Sequence, residues 1–181
     1  MSKKIRWITE TAVLLALLIT LQALTKPLGQ LVTGSCVNAV LAVAVLYGGL
    51  GCGLTIGILS PILAFLLGIA PQILTVPAIM VGNGVYVLLL FFLADPSGEK
   101  IVKNVFAWII SAGVKFGVLY FLVAKVICGF LSETLMEAGT LKAPMLKALP
   151  ATFSWPQFFT ALIGGAVALL MTPVLRKALK K

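Results

Sequence analysis

Apolar residues run along this chain in long blocks, and the polar residues gather between the blocks instead of alternating with them. A helix on a soluble surface shows a polar face every 3.6 residues; blocks that are apolar all round are solvated by lipid or by one another. The first block covers about 7–25 and ends at Lys26-Pro27. From Thr33 to Gly68 no charged residue occurs in thirty-six positions. Gly48, Gly49, Gly51 and Gly53 divide that stretch into blocks at about 32–47 and 54–68, both short for a span, and Ser60-Pro61 predicts a bend in the second. The turn 69–75 leads to a block at 76–94, with Pro77 tolerated in its first turn and Asp95-Pro96-Ser97-Gly98 as its stop. A block at 101–128 is long enough to span with a tilt. The only long polar segment follows, 129–154, and Trp155-Pro156 opens a last block to about 175. The expectation is an all-α integral membrane protein, a six-transmembrane-helix bundle forming a single membrane domain over 1–181.

Composition removes the soluble alternatives. Of 181 residues, 61% are hydrophobic and 10% charged, with a mean hydropathy of +1.14, whereas an ordinary globular domain carries about 25% charged residues. At roughly 20 residues per span, little chain is left over for a nucleotide site, a catalytic module or a nucleic-acid surface. The net charge of +9 is explained by placement. Nine basic residues lie in three groups: Lys3, Lys4 and Arg6; Lys100 and Lys103; Arg176, Lys177, Lys180 and Lys181. With six spans, these groups fall on one side and Lys26, Lys142 and Lys147 on the other, so the positive-inside rule puts both termini in the cytoplasm and 129–154 outside. MSKKIR before an apolar run also suits a secretory signal, but no small-x-small cleavage site follows, and the run reads as a retained first helix with Trp7 at the inner interface.

The inventory of reactive side chains argues against an enzyme. Histidine is absent, and the one acidic residue inside a predicted span is Glu10, so neither a metal site nor a catalytic pair of carboxylates can be assembled. No cofactor is expected. The glycine run 48–53 lacks phosphate-loop spacing and reads as a tight turn with close packing. Cys36, Cys52 and Cys128 show no ligand spacing and read as small apolar packing residues. Ala12 and Ala16 form a small-xxx-small pair on the first helix; Gly113/Gly117 and Ala161/Gly165 repeat the spacing and are assigned to packing within the bundle.

Polar residues inside the blocks carry more information. Lys115 lies thirteen residues from the outer end of the fifth block, about 20 Å deep, where a charge costs at least about 2.5–3.5 kcal/mol. It must face a ligand or watery cavity, or else donate to backbone carbonyls. Lys125, near the outer end, either snorkels or makes a second contact. Asn83 lies mid-span in the fourth block with Tyr86 on the same face, and Asn38 sits in the outer half of the second; each asparagine suits a ligand or an interhelical hydrogen bond equally. Trp155 and Gln157 stand where they can line an entrance.

In layout, and specifically in Ala12-Val-Leu-Leu-Ala16, Thr33 to Leu41 (TGSCVNAVL) and Pro77 to Asn83 (PAIMVGN), the chain resembles the substrate-binding S components of energy-coupling-factor (ECF) transporters. The resemblance implies high-affinity capture of a vitamin or related micronutrient from outside, in the plasma membrane of a prokaryote. The implied pocket lies in the outer halves of helices four to six, capped by the loop after helix one. It also implies release inside after association with a transmembrane coupling subunit and two ATPases, with Ala12 and Ala16 as the docking face. Signature residues of the thiamine, riboflavin or biotin subfamilies are not seen. The competing reading is a stand-alone facilitator or channel for a small polar solute, although no inverted pair of broken helices marks one.

Overall fold

The computed structural model describes residues 2–70, 72–95 and 99–178. Pro71 of the expected 69–75 turn, Pro96, Ser97 and Gly98 of the expected stop, and Lys180 and Lys181 of the terminal basic group lie outside these residues. The described residues are helical, without a strand: α1 Lys3–Thr25, α2 Gln30–Gly48, α3 Leu50–Leu66, α4 Val76–Leu93, α5 Ile101–Tyr120, α6 Ser132–Glu137, α7 Met145–Thr152 and α8 Trp155–Ala178. Five helical stretches are long and apolar enough to cross a membrane. The sixth apolar helix, α3, has 17 residues, about 26 Å at 1.5 Å per residue, against a hydrocarbon core of about 30 Å.

The centre of the bundle is α2. Asn38 and every residue from Val40 to Val45 are buried, which requires neighbours on all sides: α8, α1, α3 and α4 surround it. The approach of α8 is the closest. A methyl group at Gly164 would stand 2.6 Å from the Ala39 nitrogen and the Ser35 carbonyl oxygen, so only glycine permits this crossing. Ala161 is buried and Gly165 abuts the Trp108 ring, in agreement with the packing role read from their spacing. The Gly113/Gly117 pair does not share that role: Gly117 is exposed, with no atom within 4 Å of where a side chain would start.

Several boundaries differ from those read along the sequence. Gly49 alone turns the chain between α2 and α3, at φ +87, so Leu50 to Gly53 are already helical, with Gly53 pressed against Val45 and Val87. The fifth block does not stay α-helical. It continues past Tyr120 as a π-helix, Phe121–Phe130, that buries Val123. The polar segment 129–154 is not an open loop. It folds into α6 and α7, joined through Gly139 at φ +70, and Leu141, Leu149 and Phe153 pack on Ala78, Leu119 and Val123. This small second core, separate from the one around α2, seats a cap over one end of the bundle.

Candidate functional site

Beneath that cap lies a cavity of about 440 Å³, within the usual range of small-molecule sites. Its wall is made by the end of α1 (Gln22), the α1–α2 loop with the start of α2 (Lys26 to Gly34), the α3–α4 loop (Gln72, Thr75) and α7 (Met145 to Thr152). Its floor is Asn38, Asn83 and Lys115. The mouth is braced by Lys26 Nζ, which donates to the Gly68 carbonyl at 2.7 Å and so ties the α1–α2 loop to the chain just after α3.

The floor is built from five helices. Lys115 is 2% exposed, and its Nζ donates to Asn38 Oδ1 at 2.6 Å and to Asn83 Oδ1 at 2.7 Å. Each amide is oriented from its other end. Asn38 Nδ2 donates to Thr160 Oγ1 on α8 at 3.2 Å, and the Thr160 hydroxyl donates to the Gln157 carbonyl. Asn83 Nδ2 donates to the Gly57 carbonyl of α3 at 3.2 Å. That carbonyl is open because Pro61, four residues on, has no N–H to return to it. The proline read in the sequence as a bend thus leaves free the acceptor that turns an asparagine oxygen toward the lysine. The Tyr86 ring stands 5.1 Å from Lys115 Nζ, a cation–π arrangement, and its hydroxyl donates to the Ala161 carbonyl at 3.4 Å. Two oxygens and an aromatic face therefore meet Lys115 Nζ, and among the described residues no Asp or Glu side chain lines the cavity.

The residues singled out in the sequence divide accordingly. Lys115, Asn83, Asn38 and Gln157 line one cavity, and Tyr86 lies fully buried beside the lysine without lining it. Lys125 and Trp155 stand elsewhere. The buried stripe from Ser111 through Lys115, Leu119 and Val123 passes Lys125 by; that side chain is exposed, with its Nζ 5.9 Å from the Tyr120 ring. Trp155 precedes the buried stripe of α8 and stacks on Phe116 at 5.4 Å on the outside of the bundle. Gln22, Gln30, Thr33, Thr75 and Thr152 line the cavity and were not singled out in the sequence. Gln22 carried a signal, being the sole amide in the block 7–25. Thr152 carried none, since the fold of 129–154 brings it there.

On α1, only Thr11 and Leu18 are buried, and Ala12 and Ala16 are exposed, facing away from the bundle. Beside them Val13 and Leu17 border an apolar groove that runs along α2 and α8. At the same end of the molecule as the N-terminus, Arg6 pairs with Glu10 at 2.8 Å, Tyr47 donates to Glu10 at 3.3 Å, and Arg176 donates to the Leu46 carbonyl at 2.6 Å.

A family model described as ECF transporter, substrate-specific component, matches residues 6–176, nearly the whole chain. No curated protein and no solved structure matches it.

Proposed function

The chain belongs to the substrate-specific components of ECF transporters, multi-pass membrane subunits that bind a small molecule, work with an ECF module and are not themselves enzymes, and on that premise we propose how this member works. It captures a vitamin or related micronutrient from outside a prokaryotic cell, in the cavity that ends on Lys115. Six spans with both termini in the cytoplasm put the mouth of that cavity outside. The exposed Ala12 and Ala16 face docks on a transmembrane coupling subunit, and two ATPases supply the energy for release inside.

The observation that carries this reading is the closed floor. The cavity stops at Asn38, Asn83 and Lys115, and none of its lining residues comes from the half of the bundle that holds Glu10, Leu46 and Arg176. Beyond the floor, Leu41, Val45, Val87 and Leu90 are buried in a packed core. A cavity that ends on such a floor, with a packed core beneath it among the described residues, favours capture over free conduction. Purified in detergent, the single chain is expected to bind its substrate with 1:1 stoichiometry by calorimetry. In liposomes it is expected to give no flux until the coupling subunit, the ATPases and ATP are added. Flux from the single chain overturns the reading in favour of a facilitator.

A further inference from the structure

The chemistry of the cavity restricts its ligand further, given the capture role proposed above. We infer that the substrate is a small organic acid: one carboxylate-sized anionic head seated on Lys115, carried by a body without positive charge that offers an N–H or O–H to the wall.

Charge supports the head group. Among the described residues the cavity is lined by two lysines and no carboxylate, so a cationic ligand meets no counter-ion among them. Among the described residues no cluster of His, Cys, Asp or Glu is placed to hold a metal ion. Protonated, Lys115 is an ammonium in the interior whose neighbours are neutral oxygens and a ring face, so that charge is solvated but not neutralised. An ammonium has three donors, Asn38 and Asn83 take two, and among the described residues no third acceptor meets it. A ligand anion supplies both the missing acceptor and the missing charge. Lys26 at the mouth adds a second positive charge on the way in.

The wall supports the body. Gln22 and Thr33 are among the lining residues, and among the described residues Gln22 Oε1 and Thr33 Oγ1 are buried polar atoms without a hydrogen-bond partner; the amide oxygen can be satisfied only by a donor. Phe153 is the one aromatic among the described lining residues, which therefore offer no pair of rings to sandwich a planar heterocycle.

The test is thermal stabilisation and calorimetry of the full chain in detergent. The probes are pantothenate, biotin, lipoate and nicotinate, each beside its uncharged counterpart (panthenol, biotinamide, lipoamide, nicotinamide), with thiamine as the cation. At least one acid that carries an N–H or O–H is expected to bind about tenfold or more tighter than its counterpart. Lys115→Gln keeps a donor for the asparagines, and in it that preference is expected to shrink to about threefold or less. A counterpart that binds as tightly as its acid, binding of thiamine, an undiminished preference in Lys115→Gln, or no response to any acid overturns the inference. Binding of thiamine or of an uncharged counterpart leaves the capture role standing, whereas flux from the single chain in liposomes removes the capture role itself.

Discussion

Lys115 serves ligand and fold through the same atom. Its Nζ is a proposed anchor and also the link between Asn38 on α2 and Asn83 on α4, so removing it leaves two buried amide oxygens unpaired. Each such group costs about 1–3 kcal/mol. Lys115→Met is therefore expected to lower substrate affinity by about tenfold or more and also to lower the unfolding midpoint, read by calorimetry and by thermal denaturation in detergent. Lys125→Ala, at an exposed position off the buried stripe, is expected to leave affinity within about twofold. Wild-type affinity in Lys115→Met would make the lysine purely structural. Pro61 allows a subtler test, since it is not itself among the residues that line the cavity. Pro61→Ala restores an N–H that competes with Asn83 for the Gly57 carbonyl, and loosening that amide is expected to weaken binding about threefold to tenfold, on the order of 1 kcal/mol, with the helix intact by circular dichroism.

At the scale of elements, α1 and α2 are opposites in surroundings though both are apolar. Helix α2 is enclosed by four neighbours, and α1 buries two residues and leaves the Ala12 and Ala16 face outward. In lipid no hydrophobic force draws helices together, so a smooth face of small residues matters because it lets another helix come close. Ala16→Trp is expected to abolish ATP-driven uptake by the assembled transporter while ligand affinity of the isolated chain stays within about twofold. A parallel loss of affinity would mean that the face supports the bundle instead. The segment 129–154 shows how far local reading reaches. Its prolines and charges mark it as outside a span, but its fold depends on Leu141, Leu149 and Phe153 finding Leu119 at the end of α5 and Val123 on its π-helical continuation, contacts that no local pattern announces.

For the whole molecule, the proposed orientation rests on charge: the positive-inside rule sets nine basic residues on one side and three on the other, and Lys26 of those three lines the cavity while Lys147 is carried on α7. A cysteine introduced at Thr140, in a chain whose Cys36, Cys52 and Cys128 have been replaced, is expected to react in intact cells with a membrane-impermeant maleimide. Protection until the membrane is opened would reverse the topology and with it the direction of capture.

The sequence by itself determined that this is a helical membrane protein of the ECF substrate-specific kind, because blocks of apolar residues and motif segments are properties of the chain read in one dimension. It also marked Lys115, Asn38 and Asn83, because a polar group in lipid is costly wherever it stands. Which of the marked residues meet was decided only by the tertiary structure. Lys115 and Asn38 are 77 positions apart and meet because Gly164 and Gly34 let α8 lie against α2 while α4 and α5 close the other side. Lys125 and Trp155 stay outside because the phase of a helix against its neighbours, and not the polarity of a residue, fixes the side to which it points. The cap over the cavity belongs to the same class: its two short helices exist because a second core forms beneath them, and that core is assembled from segments that only the folded bundle brings together.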